Sequence, residues 1–145
     1  MSHIERSALV RVPAECMFHL VDDVEAYPRR FNWCEGSELL SQTETERVAR
    51  LDVRMAGLRM SFTTRNTVLP GERIELQLVE GPFKQLSGAW SFAALTEQAC
   101  RVSLLLDFEV AGKLMGGALA AGFRSLADHL VDDFVRAARS ELHPS

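Results

Sequence analysis

The motifs that announce most enzyme chemistries are missing from this chain. It has no HExxH, no GxSxG, no P-loop and no GxGxxG, so neither a nucleophilic triad nor a metal mechanism has residues to stand on. Cysteine is scarce: Cys16, Cys34 and Cys100 are an odd number with no CxxC pair, which suits a reducing compartment better than a disulfide framework. Long apolar runs are absent. The longest stretch without a polar side chain, 114–123, is ten residues, about half of what a membrane span requires. The start, MSHIERSALVRV, has no apolar core of a signal peptide, so a cytoplasmic protein is expected. Positive charge is not in excess either. A net charge of −4 and a pI near 5.6 give no global field for binding DNA or RNA.

The remaining titratable groups are poorly placed for catalysis. His3 and His143 lie at the two ends, His19 falls on the polar side of a short helix, and His129 flanks the charged side of a long one. The acidic group Asp22, Asp23 and Glu25 reads as a solvated helix end rather than a metal site. Cys34, beside Trp33, is the best candidate for a special thiol, although buried structural cysteines are far commoner. No catalytic residue, metal or cofactor is expected.

What the chain does have is amphipathic periodicity. Met115, Leu119, Phe123, Leu126, Leu130 and Phe134 recur at helical spacing from Gly112 to about Leu142, opposite Arg124, Asp128, Asp132, Arg136 and Arg139. About 26 helical residues make roughly 39 Å, enough to cross a small domain. Before this helix the pattern is β. Residues 3–12 read as an edge-like first strand. A short helix with Met17, Leu20, Val21 and Val24 on one stripe follows Pro13 and stops before Pro28, and a second helical or irregular piece runs to Cys34. Alternating stretches then cover 37–43, 47–56, 58–69, 73–80, 84–95 and 101–110, separated by Ala56-Gly57, Pro70-Gly71 and Gly81-Pro82.

The order is β-αα-β6-α, an α+β fold in one domain spanning 1–145, with a curved antiparallel sheet of six to seven strands around the long C-terminal helix. Gly57, Gly88 and Gly112 are places where the sheet is expected to bend. The inward faces bring Phe62, Leu76, Leu78, Trp90, Phe92, Leu104, Leu106 and Phe108 toward Leu119, Phe123 and Leu126 of the helix, with Trp33 nearby. If such a sheet does not fill completely, these residues line an apolar ligand cavity. The same pattern describes a solid core, and the sequence leaves the two open. At one end, Phe83 and Lys84 on one connection and Lys113, Leu114 and Met115 on another are candidates for touching a membrane surface. A Phe83 ring folded back over the core is the alternative. The glycine- and alanine-rich start of the long helix is expected to wall, and to gate, the cavity, while Leu126 to Phe134 holds the fold.

Several stretches together resemble one family. Phe18-His-Leu-Val-Asp-Asp-Val-Glu-Ala-Tyr-Pro28 followed by Trp33-Cys34, then Gly81-Pro-Phe-Lys84 with Leu86, Gly88 and Trp90, then Phe108-Glu109, is similar to the coenzyme Q-binding, START-like family. Its bacterial branch includes proteins named ribosome-association toxins (RatA), within the polyketide cyclase/dehydrase superfamily. Where that family usually reads Phe-Leu-Pro before the tryptophan, this chain has Arg30-Phe31-Asn32, which is expected to loosen the segment and add charge. The resemblance implies a helix-grip (START/Bet v 1-like) fold and non-catalytic binding and delivery of a ubiquinone-type polyprenyl quinone at the inner membrane surface, in support of respiration. It also implies two alternatives: binding of the large ribosomal subunit, where Arg29, Arg30, Arg59 and Arg65 are the candidate basic cluster, and a cyclase or dehydratase activity.

Overall fold

The computed structural model describes residues 2–55, 57–112 and 116–142. Strand β1 (Ser2–Val10) leads into helix α1 (Ala14–Asp22), a 3-10 turn (Val24–Ala26) and the single-turn helix α2 (Tyr27–Arg30). Strands β2 (Cys34–Gln42), β3 (Glu46–Met55), β4 (Leu58–Leu69), β5 (Arg73–Glu80), β6 (Phe83–Thr96) and β7 (Ala99–Val110) follow, then helix α3 (Gly116–Leu142). The sheet has seven strands in the order β1-β7-β6-β5-β4-β3-β2, antiparallel throughout. Six strands form a meander, and β1 pairs with its last member, so the first and last strands lie side by side at one edge. This is the expected α+β helix-grip arrangement.

One face of the sheet packs on α3, as period-2 burial demands. In β7, Cys100, Val102, Leu104, Leu106 and Phe108 are all buried while their neighbours are not. The helix presents a stripe that overlaps the one the large residues mark, with its most buried positions shifted toward smaller side chains. Phe123, Ala127, Val131, Phe134, Val135 and Ala138 are buried, whereas Leu119, Leu126 and Leu130 are only partly so. Ala127 and Ala138 let α3 approach the sheet closely, and a reading weighted by side-chain size passes over them. The solvated face also differs in detail. Arg136 pairs with Asp133 at 3.3 Å, one turn back, and Asp128 takes Arg6 of β1 at 2.6 Å.

Only one of the three expected bends lies within a strand. Gly57 and Gly112 have φ of 82° and 98° and sit in turns beyond strand ends, where a left-handed backbone suits glycine. Gly88 is different: a Cβ there would lie 2.2 Å from the Leu105 carbonyl oxygen and 3.1 Å from Leu106 Cα. Strands β6 and β7 therefore approach closely at Gly88, which pairs with Leu76 of β5 on one side and Leu106 of β7 on the other.

The buried side chains fall into two clusters. One gathers α1, α2 and the second half of α3 around Phe18, Tyr27, Phe31, Phe92 and Phe134. The other gathers Val53, Met60, Phe62, Phe83, Leu106 and Phe108 around Phe123. The Phe123 ring lies 4.8 Å from Phe108, 5.0 Å from Phe83 and 5.8 Å from Phe62, all edge to face, a preferred aromatic geometry. The first half of α3 is thus not uniformly thin: Gly117 and Ala118 are exposed, but Phe123 is firmly seated.

Candidate ligand cavity

Between the two clusters lies a cavity of about 90 Å³, bounded by the sheet and α3. Tyr27, Trp90 and Phe134 enter it from the first cluster, and Phe62, Leu106 and Phe123 from the second. Leu51, Val53, Leu76, Leu86 and Leu104 extend the floor, and Leu126 and Leu130 of α3 form the roof. These two leucines, each packed on one of the clusters, also face the cavity. Among the described residues, no charged side chain lines the space.

Two polar side chains interrupt the apolar wall. Thr64 and Asn66, two apart on β4 and therefore on one face, are 8% and 7% exposed. The Thr64 hydroxyl donates to Asn66 Oδ1 at 2.8 Å. Tyr27 also lines the cavity, but its hydroxyl donates to the Val21 carbonyl oxygen. Burial raises the Tyr27 phenol well above its ordinary range, so it stays neutral and is no general base at physiological pH.

A second, open basin of about 460 Å³ lies outside, between α2 and the end of α3, with Arg29, Arg30, Asp133, Arg136 and Glu141 on its rim. Trp33 lines both spaces. The local chain explains its place: α2 ends after one turn, Phe31 is extended (φ −127°, ψ 130°), and the strand begins at Cys34. The Trp33 ring stacks on Phe31 at 5.0 Å, and its carbonyl oxygen accepts the Arg54 amide at 2.8 Å. The Arg30-Phe31-Asn32 stretch, expected to be loose, is tied down by polar contacts instead. Arg30 reaches Glu141 at 2.9 Å and Asp23 at 3.3 Å, and Arg54 donates to the Asn32 carbonyl oxygen at 3.3 Å.

Of the residues proposed from sequence, Trp33, Phe62, Leu76, Trp90, Leu104, Leu106, Phe123 and Leu126 line the cavity. Four do not. Phe92 lies beyond Trp90 with its edge against Phe18 at 5.8 Å, and Phe108 is 1% exposed inside the phenylalanine cluster. Leu78 and Leu119 pack on the margin of that cluster. Phe83 is corrected as a membrane tip: it is 6% exposed and wedged among Phe62, Phe108 and Phe123. Pro82 and Gly81 turn the ring inward, while Lys84, next along the strand, is exposed. Lys113, Leu114 and Met115 lie outside the described residues. Asn66 escaped the sequence reading, although its parity with Phe62, Thr64 and Val68 marks it as inward.

Other candidates resolve into structural roles. Cys34 is buried, which pushes its thiol up to about 11, and its Sγ donates to the Gly36 carbonyl oxygen at 3.2 Å; this is an inert thiol. Asp22 pairs with Arg47 at 3.2 Å and Asp23 with Arg30, and no metal-holding group of side chains occurs among the described residues. The four candidate arginines do not form one patch. Arg59 pairs with Glu35 at 3.1 Å and Arg65 with Glu46 at 3.4 Å, six residues and about 20 Å apart along β4. No helix among the described residues is long and apolar enough to cross a membrane.

This geometry is shared with known proteins. Residues 10–135 match the family model described as polyketide cyclase / dehydrase and lipid transport. The chain is 45% identical over 139 residues, 96% of each chain, to the ribosome association toxin RatA of Vibrio cholerae. It is 43% identical over 138 residues to the protein of that name from Pseudomonas aeruginosa, covering 95% of this chain and 96% of that one. Among solved structures, the Zhui aromatase/cyclase of Streptomyces sp. R1128 superposes with a TM-score of 0.81 at 27% identity, over 97% of this chain and 95% of that one. With the grip, the cavity and this likeness over nearly its whole length, the chain belongs to the START-like polyketide cyclase / dehydrase and lipid transport family, alongside its RatA members.

Proposed function

We propose that this protein is a non-catalytic binder that holds and delivers a hydrophobic ligand of the ubiquinone type. The observation that carries this reading is the cavity wall, apolar throughout except for a neutral Thr64–Asn66 pair. Such a lining favours an apolar ligand and penalises an ionic one. Among the described residues, the one titratable side chain on the wall, Tyr27, is held neutral and already hydrogen-bonded, and they provide no acid–base pair there for a cyclase mechanism. At about 90 Å³ the cavity is smaller than the ~300–1,000 Å³ of typical ligand pockets. Ligand uptake therefore requires the walls to part, and Trp33, shared between cavity and outer basin, is the side chain best placed to move.

The test is organic extraction of protein purified from its own source, with mass spectrometry of the extract. Quinone should co-purify and be lost from Trp90→Asp and Phe123→Asp variants that remain folded. Repeated extraction without any lipid would remove the reading.

A second reading is favoured by the names of the relatives: association with the large ribosomal subunit. Likeness at 43–45% over almost the whole chain supports it, and it uses the outer surface rather than the cavity. It predicts co-sedimentation with that subunit, weakening as salt rises. A sucrose gradient with no protein in the large-subunit fraction would dismiss it.

A further inference from the structure

Asn66 is the anomaly in an otherwise dry wall. Its Oδ1 is taken by the Thr64 hydroxyl, and that hydroxyl is its one side-chain hydrogen-bond partner among the described residues. Its Nδ2 group keeps two N–H donors at the edge of an apolar cavity. Among the described residues the buried polar side-chain atom with no partner at all is Ser37 Oγ; Asn66 Nδ2 is not sealed off in that way, and a donor left open on an apolar space is available to an incoming acceptor. Leucine at position 66 would fill similar volume with no polar group to satisfy. The neighbours across the strands, Ala49 and Leu78 beside Thr64 and Arg47 and Leu76 beside Asn66, offer no side-chain acceptor, and Arg47 turns to Asp22 at 3.2 Å. The pair lies on the wall of a space flanked by both tryptophans, Trp33 and Trp90.

We infer that the Thr64–Asn66 pair is the polar anchor of the cavity, and that it receives a neutral ring oxygen, carbonyl or hydroxyl, through Asn66 Nδ2. This rests on the hydrophobic-ligand reading above and narrows it. The wall has no Arg, Lys or His among the described residues, so a carboxylate or phosphate head would be buried without a counter-charge. Inside the cavity the anchor therefore selects a neutral head over a fatty-acid carboxylate or a phospholipid phosphate. A neutral oxygen-bearing ring is accepted, because one amide N–H matches one ring oxygen and the surrounding side chains match its carbon faces.

The experiment is a displacement titration at pH 7.5 with the apolar dye N-phenyl-1-naphthylamine as reporter. Wild-type protein, Asn66→Leu and Thr64→Val/Asn66→Leu are compared, with circular dichroism confirming the fold. The double variant removes both polar groups together, which is nearly neutral for stability, and keeps the comparison alive should the single variant fold poorly. Decylubiquinone should displace the dye from wild type, and about tenfold less tightly from the variants, the size of one hydrogen bond lost in a dry pocket. Dye affinity is measured directly for each protein so that quinone displacement is read relative to it, and decanoate, ionised at this pH, should not compete. Equal quinone affinity in all three proteins overturns the anchor while leaving the apolar cavity standing. Effective competition by decanoate overturns the neutral-head rule. Failure of wild type to take up dye or quinone overturns the anchor and the hydrophobic-ligand reading together.

Discussion

Trp33 Nε1 donates to Asp133 Oδ2 across 3.2 Å, joining the segment before β2 to the second half of α3 over a sequence separation of 100 residues. The indole is the partition between the outer basin and the inner cavity, and this bond fixes its position. A hydrogen bond to a carboxylate contributes about 1.5–3 kcal/mol when well buried. Asp133 is partly exposed and shared with Arg136, so the lower end applies. Asp133→Ala should therefore speed ligand release by about tenfold, read as dye off-rate in stopped flow, while Asp133→Asn, which keeps an acceptor, changes it less. An off-rate indifferent to both variants would mean that Trp33 is wall and not door.

Phe83 supplies a test that separates core from membrane tip. Its ring meets three other phenylalanines, so Phe83→Ala should cost about 3–5 kcal/mol, as large-to-small changes of buried aromatics do. Chemical denaturation measures this directly. A membrane tip would behave in the opposite way, losing vesicle binding with little change in stability.

How much of this was legible beforehand follows from what kind of signal each feature leaves. Strands β3 to β7 were readable because a half-buried strand writes its face into every second residue, and Val102 to Val110 does so without a break. The core stripe of α3 is only partly legible: Phe123 and Phe134 mark it, whereas Ala127 and Ala138 carry packing through smallness, which looks like neutrality in a sequence. Asn66 was masked by its polarity: an inward parity position holding an amide reads as an error in the pattern until the cavity is seen. The Trp33–Asp133 bond had no local signature at all. Likewise Arg59 and Arg65 read as free cations because Glu35 and Glu46 meet them only through strand pairing.

Gly88 is the position where the sheet tolerates no side chain. A methyl group there would strike the Leu105 carbonyl oxygen, and backbone, unlike a flexible side chain, has little room to yield. Its strand partners Leu76 and Leu106 both line the cavity. Gly88→Ala should destabilise by about 1–3 kcal/mol or more and weaken dye binding in whatever fraction remains folded. A variant as stable as wild type would show that the strands are not held this close.

The glycines of α3 divide by what faces them. Nothing lies within 4 Å of a Cβ at Gly117, so Gly117→Ala should be neutral or stabilising by up to about 1 kcal/mol through helix propensity, with ligand exchange unchanged. At Gly122 a Cβ would meet Met55 Cβ at 3.3 Å. There the propensity gain and the tight contact oppose one another, leaving stability near its starting value while α3 is pushed from β3. Ligand exchange should respond to Gly122→Ala and not to Gly117→Ala. The reverse order would return the gate to the exposed start of the helix.

The edge of the sheet carries a pH-dependent contact. His3 on β1 stands opposite Asp107 on β7, with Nδ1 and Oδ1 2.6 Å apart. The hydrogen bond to Asp107 and, after it, the carboxylate's charge raise the His3 pKa above its ordinary 6.5, with smaller help from Glu5. A base whose pKa is higher folded than unfolded stabilises the fold fully below the unfolded value. That contribution is lost as pH rises through the raised folded value. Stability relative to Asp107→Asn should therefore be greatest below about pH 6.5 and converge with it at higher pH. Both groups are solvent-exposed, so the difference is small and falls further with salt. An NMR titration of the His3 ring resolves it most directly: Asp107→Asn should move its midpoint down toward the ordinary value. An unchanged midpoint would mean that the β1–β7 pair is held by its backbone ladder alone.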